Sequence, residues 1–344
     1  VEVTYEDRPS RANLSAEAGD ILFAKMQGTR KTLLLDSETE KNIYSTGFYA
    51  VRANPEVITT ECLYYLIDSE LFLAQKDKNC SGATQKAITN GGMAKIEISV
   101  PPLSEQGILV DKLKHLTQLI ADKKKQLNLF DEIIKSRFIE MFGTLSCNEH
   151  HYPMCALKYA CRKITDGKHG GCEQEYNSGY YYVGAREIYD GEIHYGTAPQ
   201  IVRGDFEKDY RRCNIEQGDF VLVNTGATIG KSAIAKHPLT ERTLLQKSVA
   251  MFKVKTELIS AVFLKCCYDA NPEMYTVKSA SAQPNLLLSR INSTQIYLPP
   301  IELQRQFAAF VEQVDKSKFY IVQMQILLRL LIRAIQQKTT EVLL

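Results

Sequence analysis

This chain of 344 residues lacks the patterns by which enzymes usually show themselves. There is no paired-histidine zinc motif, no G-x-S-x-G and no glycine-rich loop leading from a strand into a helix, so no hydrolase or dinucleotide fingerprint is present. An Asn-Pro-Pro-Tyr motif of the kind that holds an amino group for methyl transfer is also missing. Its nearest approaches, Asn54-Pro55-Glu56 and Asn271-Pro272-Glu273, read as turns. No run approaches eighteen consecutive apolar residues, so no transmembrane helix and no membrane partner are expected. The opening, Val1 to Ser10, has neither the basic start nor the apolar core of a signal peptide, and it has no initiator Met. No C-x-x-C occurs. The nine cysteines are odd in number and irregularly spaced, which suits free thiols in a reducing cytoplasm. The alternative is zinc on the loose set Cys147, His150, His151, Cys155, Cys161, His169 and Cys172, whose spacing fits no standard finger or ribbon. Net charge is only +2, which neither demands nor excludes nucleic acid, because a basic face can sit on a nearly neutral protein.

What is present is a long, uninterrupted helical pattern. From Pro101 to Gly143 apolar residues recur at alternating spacings of four and three: Leu109, Leu113, Leu116, Ile120, then Leu127, Phe130 and Ile134, with Met141 further on. About forty residues at 1.5 Å each make a helix of roughly 60 Å, a spacer rather than part of a compact core. His115 and the run Lys123-Lys124-Lys125 read as its solvated face. A length of 344 residues allows two domains, and 44% apolar with 24% charged residues is ordinary for globular chains.

The chain also repeats itself. Val100-Pro101-Pro102-Leu103-Ser104-Glu105-Gln106 returns as Leu298-Pro299-Pro300-Ile301-Glu302-Leu303-Gln304, 198 residues on. Ser81-Gly82-Ala83-Thr84-Gln85 returns at the same offset as Ser279-Ala280-Ser281-Ala282-Gln283. Gly19-Asp20-Ile21-Leu22-Phe23 returns as Gly218-Asp219-Phe220-Val221-Leu222 at an offset of 199. A second apolar-periodic run follows the second Pro-Pro: Leu303, Phe307, Phe310, Val314, Ile321, Met324, Leu328, Leu331 and Ile335. The order is domain, long helix, domain, long helix. Only eighteen residues precede Gly19, so the first copy is expected to lack its opening segment.

Within the first copy the pattern predicts strands at 19–26, 32–36, 43–52 and 96–100, a helix at 59–73, and a loop-rich stretch at 76–92. In the second copy it predicts a helix or strand over 155–164, a loop at 166–171 and a tyrosine-rich strand at 180–184. Beyond these come alternating turns and short strands over 191–212, strands at 218–225, 232–237 and 246–255, and a helix at 258–268. The candidate contacts lie in loops. Gly226-Ala227-Thr228-Ile229-Gly230-Lys231-Ser232 looks like a phosphate-binding P-loop but has three residues between its glycines instead of four, and no helix is predicted after it. It reads either as a plain hairpin turn or as a turn offering N–H groups, Asn224, Thr225, Thr228 and Lys231 to a DNA backbone. The matching turn of the first copy offers Lys25, Gln27, Thr29, Arg30 and Lys31. The polar loops add Thr84, Gln85 and Lys86 in the first copy and Ser281, Gln283 and Asn285 in the second. Gln and Asn suit adenine and Lys or Arg suits guanine in the major groove, although an ordinary surface loop has the same composition. Lys168 and Arg186 are further basic candidates.

The two Gly-Asp-apolar segments, the polar loops before each last strand and the two Pro-Pro-x-x-x-Gln helix starts together resemble the specificity subunits of type I restriction–modification enzymes. The resemblance covers nearly the whole chain. It implies an α+β fold: two similar mixed α/β target recognition domains separated by two long helices forming an antiparallel coiled coil, with pseudo-two-fold symmetry. The implied domains are 1–100 (truncated at its start), a spacer helix 101–143, a second recognition domain 144–298 and a second spacer helix 299–344. It further implies a non-catalytic, cytoplasmic subunit that reads a bipartite site on double-stranded DNA, with helix length setting the gap between half-sites. The implied partners are two modification subunits and the restriction subunits. No cofactor is implied in this chain, since S-adenosylmethionine, ATP and Mg serve the partners. The sequence departs from the repeat in the missing opening segment, the single glycine of the first turn, and Leu303 where the first copy has Glu105. The rival readings are a helical scaffold with protein-binding end domains and a nucleotide-hydrolysing enzyme.

Overall fold

The computed structural model describes residues 7–274 and 285–341. The chain divides into two compact units, Val1–Gln126 with Tyr320–Leu344, and Leu127–Phe319. Each is described by itself.

Unit 1 begins with β1 (Ala12–Leu14), followed by β2 (Ile21–Ala24), β3 (Thr32–Leu34), β4 (Tyr44–Ser45) and β5 (Phe48–Val51). An antiparallel sheet of order β3-β2-β5 has β2 at its centre, and β1 pairs with β4. Central position explains why all four residues of β2 are buried. Strand alternation sends Ile21 and Phe23 to one face, against Ile58, Cys62, Leu66 and Phe72, and Leu22 to the other, against Ala16 and Leu35. The helix expected over 59–73 is two helices, α1 (Thr60–Ile67) and α2 (Glu70–Lys78). Ser69 restarts the chain because its hydroxyl accepts the Phe72 amide, as Thr59 does for Cys62 at the head of α1. The restart carries α2 through Lys78, into a stretch expected to be loop. A short α3 (Asn90–Met93) follows. The strand expected over 96–100 does not form. Ile96, Ile98 and Val100 pack on the core, while the Gln75 side chain takes both hydrogen bonds of Glu97's backbone, doing the work of a neighbouring strand. Then α4 (Leu103–Phe142) begins.

Unit 2 holds β6 (Met154–Ala156), α5 (Leu157–Ala160), β7 (Cys161–Asp166), β8 (Tyr181–Val183), β9 (Ile188–Tyr189), β10 (Glu192–Ile193) and α6 (Arg203–Cys213). It continues with β11 (Phe220–Val223), β12 (Ser232–Ile234), β13 (Thr243–Leu245), β14 (Val249–Val254), α7 (Ala261–Ala270), α8 (Leu288–Ser293), β15 (Gln295–Tyr297) and the first half of α9 (Ile301–Glu341), whose residues from Tyr320 on belong to unit 1. Its main sheet is antiparallel, of order β12-β11-β14-β7, with β11 and β14 in the middle. Phe220, Leu222, Ala250 and Phe252 face one core, while Val221, Val223, Val249 and Met251 face another. The turns expected over 191–212 are corrected by α6. Phe206, Tyr210 and Cys213, at spacings of four and three, pack inward, and Asn214 ends the helix in the left-handed region at φ 42°.

The long helices form where expected. Leu113 is buried, and Leu109, Leu116, Ile120, Leu127, Phe130, Ile134 and Met141 are partly so. The best-buried apolar residues of α4 are Phe138 and Phe142, which the sequence pattern passed over. They pack against Phe263 and Phe307 in unit 2, mostly edge to face, at centroid separations of 4.9 to 5.5 Å. Within unit 2 the helices run antiparallel, since Phe138 meets Phe307 while Asp131, about two turns earlier, is salt-bridged to Lys318, about three turns later. Beyond Ile321 the expected seam of α9 shifts: Met324 and Leu331 are exposed, and Gln325 instead reaches the Ile120 carbonyl within unit 1. Part of α9 is long and apolar enough to cross a membrane by length and composition alone. Its polar residues are nevertheless engaged with protein in unit 1, Arg333 with Glu70 and Gln336 with the Tyr65 carbonyl.

Candidate nucleic-acid interface

The two Gly-Asp segments form the same turn. Gly19 and Gly218 sit at φ 88° and 95°, where a Cβ is disfavoured. Asp20 accepts the Glu17 amide and Asp219 accepts the Glu216 amide, closing matching loops before β2 and β11. A cation from the neighbouring strand of the sheet, or just past its end, holds each aspartate: Arg52, which follows β5, at 2.6 Å for Asp20 and Lys253 of β14 at 2.9 Å for Asp219.

Past these strands come the candidate loops, and in each unit the structure ties a hairpin turn to the later polar loop. In unit 1 the Gln27 amide donates to the Lys86 carbonyl, the Ile88 amide donates to the Lys25 carbonyl, and Met26 bridges Ala87. In unit 2 the Leu286 amide donates to the Asn224 carbonyl, Thr225 bridges Asn285, and the Thr225 hydroxyl bonds Asn285 Oδ1 at 3.1 Å. Loops some sixty residues apart in sequence thus form one polar edge at the same end of each sheet. Ser281 and Gln283 lie outside the described residues.

The unit 1 edge is open and basic. Gln27, Arg30, Lys31, Thr84, Gln85 and Lys86 are exposed, and Lys25 and Thr29 partly so. Lys25 and Lys31 extend over the rings of Tyr49 and Phe48, each 5.7 Å from the centroid. Arg30 is already paired, with Glu70 at 2.7 Å. The Ser81–Ala87 bridge closes the polar loop, and Gly82 is required there, because a Cβ would lie 2.5 Å from the Gln85 carbonyl oxygen.

In unit 2, Lys231 is exposed, Thr225 and Thr228 are partly exposed and Asn224 is buried, its side-chain oxygen without a hydrogen-bond partner among the described residues. The glycine turn does not cradle a phosphate with the amides expected of it. Those of Ile229, Gly230 and Lys231 are already donated to the carbonyls of Gly226, Val223 and Thr228, and strand β12 follows. Lys168 turns inward, with its side chain 14% exposed and salt-bridged to Asp209 at 2.7 Å; that bond raises its pKa. Its backbone still borders the edge, through bonds with Leu245 and Lys247. Arg186 is exposed on the turn after β8, where Gly184 packs against the Gln246 side chain. The segment Gln246–Ser248 is therefore the hub. It contacts Lys168, the turn of Arg186 and, through the Ser248 carbonyl, the Asn224 amide. The sequence reading placed this segment inside a strand and so missed the exposed Lys247, which sits on the short connection between β13 and β14. It also missed Lys76 and Asp77, which hold the unit 1 turn from behind.

Among the described residues no three His, Cys, Asp or Glu side chains converge as a metal site requires. All nine cysteines are free thiols. Burial pushes those of Cys62 and Cys213 up to about 11 and those of Cys161 and Cys266 to about 12, so they are inert packing groups.

A family model of the type I restriction modification DNA specificity domain matches residues 8–129 and 163–330. The matches cover well over half of the chain, and the chain belongs to that family. The specificity subunit of the type I restriction enzyme EcoBI of Escherichia coli is 22% identical over 273 residues, 71% of this chain and 56% of that protein. The chain thus spans about half the length of this curated relative. A chain from a structure of the type I R-M system, solved in connection with complex assembly and conformational transition, is similar in fold, with a TM-score of 0.60 and 20% identity over 97% of this chain and 84% of that one. The HsdS subunit of Thermoanaerobacter tengcongensis is 20% identical with the same coverages and a TM-score of 0.41.

Proposed function

We propose that this chain is a sequence-specific DNA-binding specificity subunit of a type I restriction–modification complex. Each unit reads one half of a bipartite site on double-stranded DNA, and the chain directs methylation and cleavage without catalysing either. The observation that carries this reading is the stitched pair of polar loops, joined at the same sheet end in both units by a matching amide-to-carbonyl bond (Ile88 to Lys25, Leu286 to Asn224) and a matching bridge (Met26 with Ala87, Thr225 with Asn285). Such an edge presents amide, hydroxyl and ammonium groups on a rigid base, which base and phosphate recognition needs. Lys25, Gln27, Lys31, Thr84, Gln85 and Lys86 form the contact set of unit 1; Thr225, Thr228, Lys231, Ser281, Gln283 and Asn285 form that of unit 2, with Arg186 and Lys247 flanking. The chemistry then belongs to partners, two modification subunits using S-adenosylmethionine and restriction subunits using ATP and Mg, in the cytoplasm.

The test is a graft. Replacing residues 218–232 and 279–285 by those of another family member changes one half of the bound sequence and leaves the other half as it was, read by selection from a random duplex library. A change in both halves, or in neither, would sink the two-reader assignment.

A further inference from the structure

We propose that Lys76 is the positioning residue of the unit 1 reading turn, setting its base discrimination without touching DNA. This rests on the DNA-reading assignment above. The Lys76 side chain is fully buried, an expensive place for an ammonium unless its donors are matched. Its acceptors lie on the last residue of β2, on the turn that follows, and on Asp77, which holds that turn. Nζ donates to the carbonyls of Thr29 at 2.9 Å, Met26 at 3.0 Å and Ala24 at 3.4 Å, and it lies 3.2 Å from Asp77 Oδ1.

Asp77 completes the clamp. The same Oδ1 accepts the Gly28 amide at 3.1 Å, and the Asp77 carbonyl accepts Gln27 Nε2 at 3.2 Å. The end of α2 therefore engages five of the six residues from Ala24 to Thr29. Three of these contacts are carbonyls drawn toward one buried charge, so the turn cannot change conformation without stranding that charge. Gln27, its Nε2 tethered to Asp77, and Lys31 remain exposed on a turn of one shape. Unit 2 holds its turn differently. There the amides of Ile229, Gly230 and Lys231 close the turn on itself, and among the described residues no buried lysine lies beneath it. The effect of Lys76 should therefore fall on one half-site only.

The experiment uses the full chain carrying Lys76→Met, which keeps length and apolar bulk but removes charge and donors. Its affinities are measured for the target duplex and for duplexes with single base changes in either half. The expected result is a loss of about tenfold in the discrimination ratio at the half read by unit 1, the scale of one well-placed side-chain-to-base contact, with ratios at the other half unchanged. A merely destabilising change would lower the competent fraction and weaken every duplex equally, leaving all ratios intact. Asp77→Ala, which removes the Gly28 tether and the carboxylate beside Nζ but keeps the three carbonyl contacts of Lys76, is expected to lower the same ratios by a smaller factor, and it carries the test if Lys76→Met does not fold. Intact ratios in the folded variants, or equal losses at both halves, overturn the role of Lys76. A wild-type chain that discriminates at neither half overturns this proposal together with the DNA reading.

Discussion

Asp20 and Asp219 close equivalent turns, yet their carboxyls shift in opposite directions. The hydrogen bond from Arg52 dominates at Asp20 and lowers its pKa below the ordinary 3.8. At Asp219 burial dominates and raises it, despite the bond from Lys253. The consequences for stability follow from linkage. Asp20 contributes stability that is present above its unfolded pKa of 3.8 and is lost as pH falls through the lower folded value. Asp219 contributes stability below 3.8 that is lost as pH rises through its raised folded value. Asp20→Asn should thus cost about 1 kcal/mol at neutral pH, the scale of one charge-assisted bond with an exposed partner, and the cost should vanish in strong acid. Asp219→Asn should cost less at neutral pH. Urea unfolding across a pH series checks both, and an Asp20→Asn deficit that does not shrink below about pH 4 would contradict the linkage. Lys76 shows why such residues escape a reading of sequence. It opens the stretch 76–92 whose composition reads as loop, and only the packing of α2 over β2 buries it.

At the scale of elements, the Pro-Pro-x-x-x-Gln starts of α4 and α9 have a structural purpose. Gln106 and Gln304 are both fully buried on the first turn of their helices. Gln106 Oε1 accepts the Thr59 amide at 2.7 Å, and its Nε2 donates to the carbonyls of Val57 and Pro101. Gln304 repeats the set with the Ser260 amide at 2.9 Å and the carbonyls of Leu258 and Pro299. Each glutamine thereby locks the start of a long helix to the N-cap residue of α1 or α7 in its own unit. Gln106→Ala or Gln304→Ala would leave a buried amide and two carbonyls unsatisfied and should destabilise its own unit by about 2–4 kcal/mol. Hydrogen exchange of the two units checks this, since protection should fall mainly in the unit carrying the change. The motif was legible as a repeat; its hydrogen bonds were not, because Thr59 and Gln106 lie far apart along the chain. The same limit applies to α9. A periodicity of four and three put Met324 and Leu331 in the seam, but the partner surface in unit 1 accepts Gln325 and leaves both exposed.

For the whole molecule, a net charge of +2 makes general attraction to DNA weak, so affinity must come from cations placed at the loop edges. Lys231 and Lys247 are exposed there, while Lys168 is spent on Asp209. Lys231→Ala and Lys247→Ala should each weaken binding to all sequences and reduce the slope of log affinity against log salt by about 1, whereas Lys168→Ala should leave the slope unchanged. Titrations at several salt concentrations decide it, and an unaltered slope removes that lysine from the interface. The sequence by itself determined the repeat, the two long helices, the Gly-Asp turns and the loops that carry polar side chains. Those are local matters of periodicity, turn chemistry and self-similarity, and each is written within a few consecutive residues. Only the tertiary structure decided which candidates face outward and what holds them: Lys168 turned in, Lys247 turned out, Lys76 beneath its turn and the polar loops joined to their hairpins. Burial and charge pairing depend on partners brought together from distant parts of the chain, and no local pattern encodes that meeting.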